Sequence, residues 1–402
     1  MIPFAARMAQ LGTESAFEYL ARAKQLEAEG QEMIHLEIGQ PDFPTAPHIC
    51  DAAYRAMQAG YTGYGPAAGL PELKAAVVEH MATTRGLSVQ PEHVVVMPGA
   101  KPVIFFTMLA LVDSQDEVIY PDPGFPIYES VINFVGAKAV PLPLQESVNF
   151  RFQLDDLRSR VSERTKLLIL NSPQNPTGGL LTAEDLGAIA TLAQRYDFYV
   201  LADEIYSRIL YEQTHNSIAS LPGMQARTIL LDGFSKTYAM TGWRLGYAVA
   251  PLEIAQKLEQ LMINSNSCTC SFTQMAGVTA LKGSQDVVDN MVKAFRQRRD
   301  AIVAGLNQIP GITCTNPAGA FYVFPNVSKL PLDDQALADY LMTEAGVAVL
   351  PGSSFGDYGK GYLRLSYANS LANIERALGQ IAQAVTRLNH PKELLGHDDP
   401  KI

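Results

Sequence analysis

Thr228-Ile229-Leu230-Leu231-Asp232, running into Gly233-Phe234-Ser235-Lys236 and followed by Arg244-Leu245-Gly246, is the stretch that decides the fold. The apolar run reads as a buried strand, and glycine and serine open the turn that follows. A lysine in that turn suits an amine that must be desolvated and neutral beside a bound phosphate, as Schiff-base chemistry requires. Taken alone, Ser235-Lys236 equally describes a surface lysine on a strand–helix loop, so the rest of the chain has to choose.

The same texture extends outward in both directions. Val94-Val95-Val96 precedes a helical pattern over 101–112, Glu117 to Tyr120 precedes one over 126–135, and Lys166 to Leu170 precedes one over 182–196. Tyr199 to Ala202 and Leu245 to Val249 are further strand candidates. Short apolar runs alternating with helical patterns predict an α/β fold with a mostly parallel sheet flanked by helices. Asn171, Asp203 and Ser235 fall at carboxyl ends of these strands, the edge where open α/β sheets bind ligands.

These patterns divide the chain into a large domain over 46–285 and a smaller α/β domain built from its two ends. Residues 1–45 form an arm and part of the small domain, with an amphipathic helix over 15–29 and a strand over 33–38. Within 286–402, helices are expected near 285–308, 333–345 and 371–387, and strands over 320–324, 347–350 and 362–367. The polar tail 389–402 reads as frayed.

A length of 402 residues fits two domains, and 47% hydrophobic with 18% charged residues describes an ordinary globular chain. The net charge of −10 argues against nucleic acid or an anionic membrane as main partner. Cys50, Cys268, Cys270 and Cys314 form no C-x-x-C pair and no zinc spacing. With no secretory leader, they read as reduced thiols of a cytoplasmic protein. The histidines show no H-E-x-x-H pattern, so no metal site is expected. The apolar run Val103 to Val112 is too short to span a membrane and reads as a buried helix.

Several motifs are ambiguous one at a time. Asp203-Glu204-Ile205-Tyr206 closes a buried strand, where an aspartate is usually a cap. Asn171-Ser172-Pro173-Gln174-Asn175-Pro176-Thr177-Gly178 is rich in turn formers. Pro98-Gly99-Ala100-Lys101 is either a plain turn or a helix N-terminus open to a phosphate. Arg364 sits inside the apolar run Tyr362 to Tyr367, where an arginine requires a carboxylate or a ligand as partner.

Their order and spacing are more specific. Asn175, Asp203, Tyr206, Lys236, Arg244 and Arg364, together with Gly39-Gln40-Pro41-Asp42-Phe43 and Tyr64-Gly65-Pro66-Ala67-Ala68-Gly69, resemble the class I/II pyridoxal-phosphate aminotransferases of fold type I. The likeness runs from about residue 15 to 387 and is greatest to bacterial aspartate-aminotransferase-like members. It implies a seven-stranded large-domain sheet, pyridoxal 5′-phosphate as cofactor, and ping-pong transamination between an L-amino acid and a 2-oxo acid. Lys236 is implied to be the Schiff-base lysine and proton shuttle, and Asp203 the partner of the protonated ring nitrogen. Asn175 and Tyr206 would hydrogen-bond the ring's phenolic oxygen. Ser235, Arg244 and the Gly99-Ala100-Lys101 turn would hold the phosphate, and Phe125 would stack on the ring. Arg364, with Gly39 and Asn175, would bind the substrate α-carboxylate. Tyr64 would reach the cofactor phosphate of a second subunit, making a homodimer with shared sites.

Departures limit the likeness. Phe125 stands where aspartate-specific members carry tryptophan, and Lys101 where many carry a small or hydroxylated residue, so Lys101 faces either phosphate or substrate. The distal arginine of dicarboxylate enzymes has no matching motif. Cys268-Thr269-Cys270-Ser271 is either substrate-proximal or merely buried and small. Another reaction of the same cofactor, such as a C–S β-lyase or a specialised biosynthetic step, uses the same residues. A nicotinamide or P-loop enzyme is excluded by the lack of G-x-G-x-x-G after a strand and of a P-loop glycine before Lys236. A transcription regulator lacks room for a DNA-binding module before the first strand.

Overall fold

The computed structural model describes residues 4–389, so the expectation for the tail beyond Asn389 lies outside the described residues. The chain divides into two compact units. One comprises residues 4–13, 40–293 and 318–320; the other comprises 14–39, 294–317 and 321–389. Residues 4–13 fall in the stretch expected to be arm and small domain. They cluster with the large unit instead, where the Gly12 N–H donates to Ser130 Oγ at 2.8 Å.

The large unit is built on a sheet of seven strands. Edge to edge they are Val94–Met97, Gly246–Val249, Thr228–Gly233, Tyr199–Asp203, Thr165–Asn171, Glu117–Asp122 and Lys138–Pro143. The four pairings from Thr228–Gly233 across to Lys138–Pro143 are parallel. Gly246–Val249 runs antiparallel to both its neighbours. Only a short turn with a 3-10 segment, Thr241–Trp243, separates it from Thr228–Gly233, without the crossover helix that parallel strands need. Its amino end therefore lies at the same sheet edge as the carboxyl ends of the others.

Lys138–Pro143 escaped the sequence reading because Pro141 and Pro143 break its strand signal. It is the edge strand, where a missing ladder donor is tolerated. Val94–Met97, Glu117–Asp122, Thr228–Gly233 and Gly246–Val249 are buried at every residue, as strands covered on both faces should be.

Leu73, Val77 and Met81 of helix Pro71–Arg85 join Val94, Val96, Leu230 and Tyr247 of the sheet and Ala276 and Ala280 of helix Ser271–Lys282 in one core. Truncating the fully buried Leu73 to alanine there costs about 2–5 kcal/mol. Helix Lys101–Leu111 starts with proline in its first turn. It buries one face only, for Leu109 is 44% exposed, so the apolar run 103–112 is not buried all round. Helix Ala183–Tyr196 opens on a capping box: Asp185 N–H donates to Thr182 Oγ1 at 3.2 Å, and Thr182 N–H donates to Asp185 Oδ2 at 2.8 Å.

The small unit carries a three-stranded antiparallel sheet ordered Leu350–Pro351, Leu363–Ser366, Tyr322–Val323. The strand expected over 347–350 is two pieces, because Val347–Ala348 pairs in parallel with Ile34–His35 while Leu350–Pro351 turns onto Leu363–Ser366. Helix Asp334–Ala345 is capped by Asp333, whose Oδ1 accepts the Ala336 N–H at 2.7 Å, and closes on Gly346 at φ +62°. Helix Leu371–Asn389 buries Ile374, Ala377, Ile381, Ala384 and Val385, the spacing of one helical face.

Candidate active site

The large unit gathers most of the implicated residues along the carboxyl edge of its sheet. Asn171 and Asp203 end adjacent parallel strands and pair in register. Asn171 Nδ2 donates to the Asp203 carbonyl at 3.1 Å, and its Oδ1 accepts the Asn175 N–H at 2.8 Å. Gln174 Nε2 donates to the Pro123 carbonyl at 2.5 Å. The loop rich in turn formers is thus bound to two strand ends, and Asn175 is 7% exposed.

Asp203 is buried, and both donors to its carboxylate are neutral. Tyr128 Oη donates to Oδ2 at 2.6 Å, and the Ile205 N–H donates to Oδ1 at 3.2 Å. Burial pushes the Asp203 carboxyl up to about 6, against the pull of these donors, and the neighbouring Asp232 and Glu204 raise it further. Burial also holds the Tyr128 phenol well above its usual range, so it stays a donor. A buried carboxylate with only neutral donors suits a positively charged partner. Tyr206, in the turn beyond Asp203, is likewise buried.

Three strands away, beyond Val94–Met97, Gly99 adopts φ +96°, and a Cβ placed on it would collide with Arg244 Nη2. A Cβ on Gly246 would come within 2.7 Å of the Ala100 nitrogen. The missing side chains let the Arg244 guanidinium rest on Gly99 and the Gly246 backbone on Gly99-Ala100, where helix Lys101–Leu111 begins. Arg244 is exposed, adopts φ +53°, and donates from Nη1 to the Thr241 carbonyl at 2.9 Å. Arginine, backbone amides and a helix N-terminus together suit a phosphate. Ser235 is buried and Lys236 half-buried, in the turn after Thr228–Gly233. That strand lies between those bearing Asp203 and Gly246. An anion cradle and a buried carboxylate on either side of a lysine fit pyridoxal phosphate.

Phe125 is half-buried and meets Tyr128 edge-on, with centroids 5.7 Å apart. Lys101 is exposed, and its Nζ lies 5.5 Å from the centroid of the Phe125 ring. Tyr64 is 93% exposed. Its loop is held by Cys268 and Ser271: the Gly65 N–H donates to Cys268 Sγ at 3.5 Å, and Ser271 Oγ donates to the Gly63 carbonyl at 3.2 Å. Cys268 thereby gains a contact that sequence reasoning left open, whereas Cys270 is exposed.

Arg364 and Gly39 belong to the small unit. Arg364 is 4% exposed, with its guanidinium carbon 4.6 Å from the Tyr322 ring centroid and 5.0 Å from that of Phe355. It donates from Nη2 to the Glu37 carbonyl, and a Cβ on Gly39 would collide with Tyr322 Oη. The partner that the sequence demanded for a buried arginine therefore includes a backbone carbonyl and two aromatic faces. Behind it, His35 Nδ1 lies 2.7 Å from the fully buried Glu37 Oε1.

Sequence reasoning missed a second set of residues. Arg85 donates from Nε to Glu204 Oε2 at 2.7 Å, and from Nη2 to Asp232 Oδ2 at 2.5 Å and Ser207 Oγ at 2.9 Å. Glu204 also accepts from Ser217 Oγ at 2.5 Å and lies 2.8 Å from His215 Nε2. A carboxylate after an apolar strand, seen twice in Ala202-Asp203-Glu204 and Leu231-Asp232-Gly233, signals that a cation is needed. The cation itself is more than a hundred residues away and carries no local signature. Tyr128 gave no signal that separates it from a core tyrosine.

The family profile described as aminotransferase class I and II matches residues 31–381. An aspartate aminotransferase of Geobacillus stearothermophilus is 39% identical over 386 residues, spanning 94% of this chain and 97% of that protein. An aromatic-amino-acid aminotransferase of Thermococcus litoralis is 37% identical, over 88% of this chain and 92% of its own. The solved aspartate aminotransferase from Thermus thermophilus with maleate superposes with a TM-score of 0.92 at 36% identity, covering 96% of this chain and 100% of that one. The chain belongs to the class I and II aminotransferases, enzymes of pyridoxal phosphate-dependent transamination.

Proposed function

We propose that the sheet edge described above holds pyridoxal phosphate and that the preferred amino donor is an acidic amino acid such as aspartate. Bound there, the cofactor supplies a carbonyl that takes the amino group and a ring that delocalises the electrons left on the substrate Cα. Asp203 keeps a proton on the ring nitrogen by charge pairing in a dry setting. Asn175 and Tyr206 serve the ring's phenolic oxygen. Ser235, Arg244 and the Gly99-Ala100 amides bind the phosphate, and Phe125 packs on the ring face. Lys236 holds the cofactor and carries a proton at Nζ between the substrate Cα and the cofactor. Arg364, assisted by Gly39, takes the α-carboxylate through its planar fork.

The observation that carries the cofactor assignment is the buried Asp203 on the same sheet edge as the Gly99–Arg244 cradle, with the Lys236 turn between them. Support for an acidic donor comes from Lys101, an exposed cation 5.5 Å from the ring of Phe125. The names of the Geobacillus and Thermus relatives point the same way. A homodimer in which Tyr64 serves the second subunit is supported by the 93% exposure of Tyr64 and 89% exposure of Phe4, large side chains that an isolated subunit leaves in water. A cytoplasmic setting is supported by four free cysteines. Among the described residues no helix is long and apolar enough to cross a membrane.

A half-reaction screen tests the donor. The yellow protein is mixed with an amino-acid panel, and conversion to the pyridoxamine form is followed by absorbance. Aspartate or glutamate should convert it fastest, and Lys101→Ala should lower their kcat/KM at least about tenfold while sparing alanine. Faster conversion by neutral or aromatic amino acids contradicts the acidic-donor reading. Borohydride treatment and peptide mass mapping should place the cofactor on the peptide containing Lys236.

A further inference from the structure

Arg85 lies outside the cofactor-binding set, yet it joins the two segments that carry that set. Its side chain is 2% exposed at the carboxyl end of helix Pro71–Arg85. Glu204 directly follows Asp203, and Asp232 directly precedes Gly233-Phe234-Ser235-Lys236. The fork of one guanidinium holds both, at 2.7 and 2.5 Å. Asp232 Oδ1 also accepts the Gly233 N–H of its own segment at 2.7 Å, while the Glu204 backbone N–H donates across to the Leu231 carbonyl at 2.9 Å. Ser207, one residue past Tyr206, takes a third bond from Arg85.

We infer that Arg85 is a positioning residue of the cofactor site, fixing the Asp203–Tyr206 turn and the Gly233–Lys236 turn in one register. The inference rests on the assignment of Asp203 and Lys236 made above. The strands below already pair Asp203 with Leu231, but backbone pairing ends there, and both functional side chains lie at or beyond that limit. The Arg85 fork continues the link past the last ladder bond. It also supplies the positive charge facing two buried carboxylates, and His215 Nε2 lies 2.8 Å from Glu204 as well. An arginine suits this task because its planar donors reach two acceptors at once, which a lysine ammonium on a flexible stem does not hold in fixed geometry.

The test separates positioning from charge balance. Arg85→Met alone strands two buried carboxylates and can fail to fold. The triple variant Arg85→Met/Glu204→Gln/Asp232→Asn removes the charges together, and its fold is checked by circular dichroism and melting. Cofactor affinity, measured by equilibrium dialysis with pyridoxal phosphate, should weaken about tenfold in the folded triple variant. Its kcat should fall roughly a hundredfold, as expected for a displaced reacting group, with the amino-acid KM moving far less. A folded triple variant with wild-type cofactor affinity and wild-type kcat overturns the inference. Wild-type protein that takes up no pyridoxal phosphate overturns the assignment beneath it as well, so the two failures are distinguishable.

Discussion

Asp203 and Glu204 are consecutive and both buried, yet their surroundings shift the two carboxyl pKa values in opposite directions. Asp203 has, among the described residues, a phenol and a backbone amide as donors, and burial raises it to about 6. Glu204 suffers the same burial, but His215 and Arg85 outweigh it and hold the carboxyl down to about 2. One carboxylate faces basic side chains of the protein; the other has neutral donors, which suits the proposed pairing with a ring nitrogen. The contrast separates a structural charge from a functional one better than burial or residue type does.

The largest expected effect tests the functional member of the pair. Asp203→Asn should lower kcat by about a thousandfold, the scale for losing one preorganised electrostatic partner, in steady-state assays with saturating cofactor. The same variant should stabilise the cofactor-free protein. With a folded-state pKa above its unfolded value, Asp203 contributes stability that is present below about pH 4 and lost as pH rises through about 6. Removing that titration gains on the order of 3 kcal/mol at pH 7 in denaturant unfolding.

Glu204→Gln should do the reverse. Its depressed pKa contributes stability present above about pH 4.5 and lost as pH falls towards 2. The variant should therefore be less stable than wild type by on the order of 3 kcal/mol at neutral pH, and the difference should shrink in acid. Equal and same-signed effects of the two substitutions would erase the contrast.

A smaller effect is expected in the other unit, where a third buried carboxylate, Glu37, is compensated by a histidine. The Glu37 hydrogen bond, with Glu27 behind it, raises His35 to about 9 although burial opposes the rise. That raised pKa contributes stability fully present below about pH 6.5 and lost as pH climbs through about 9. Melting temperatures of His35→Gln should lack the alkaline decline that wild type shows over this window. Since His35 is partly exposed, salt screens part of the effect.

How much of this was readable in the sequence depends on whether the signal is local. The strand run Thr228–Gly233, the turn with Lys236 and the Asp203 strand end announce themselves through period and composition. So does the helical face of Leu371–Asn389. The edge strand with Pro141 and Pro143 does not, since its residues are tolerated only because nothing pairs beyond them. Helices Pro47–Gln58, Leu252–Ser265 and Ser271–Lys282 cover the large unit, but they bear no motif that drew attention. The Arg85 network and Tyr128 are long-range matches, decided by which strands lie side by side. A sequence shows that Glu204 and Asp232 need a cation, whereas only the fold shows which one.

The most direct test of the account is the titration of Asp203 itself, followed by NMR on protein labelled with 13C at aspartate side-chain carboxyls and assigned with Asp203→Asn. In the cofactor-free protein its midpoint should lie near pH 6, and saturation with pyridoxal phosphate should drive it well below the ordinary aspartate range as it pairs with the ring nitrogen. A midpoint that stays in place when the cofactor binds contradicts the claim that this carboxylate is held incomplete for that partner.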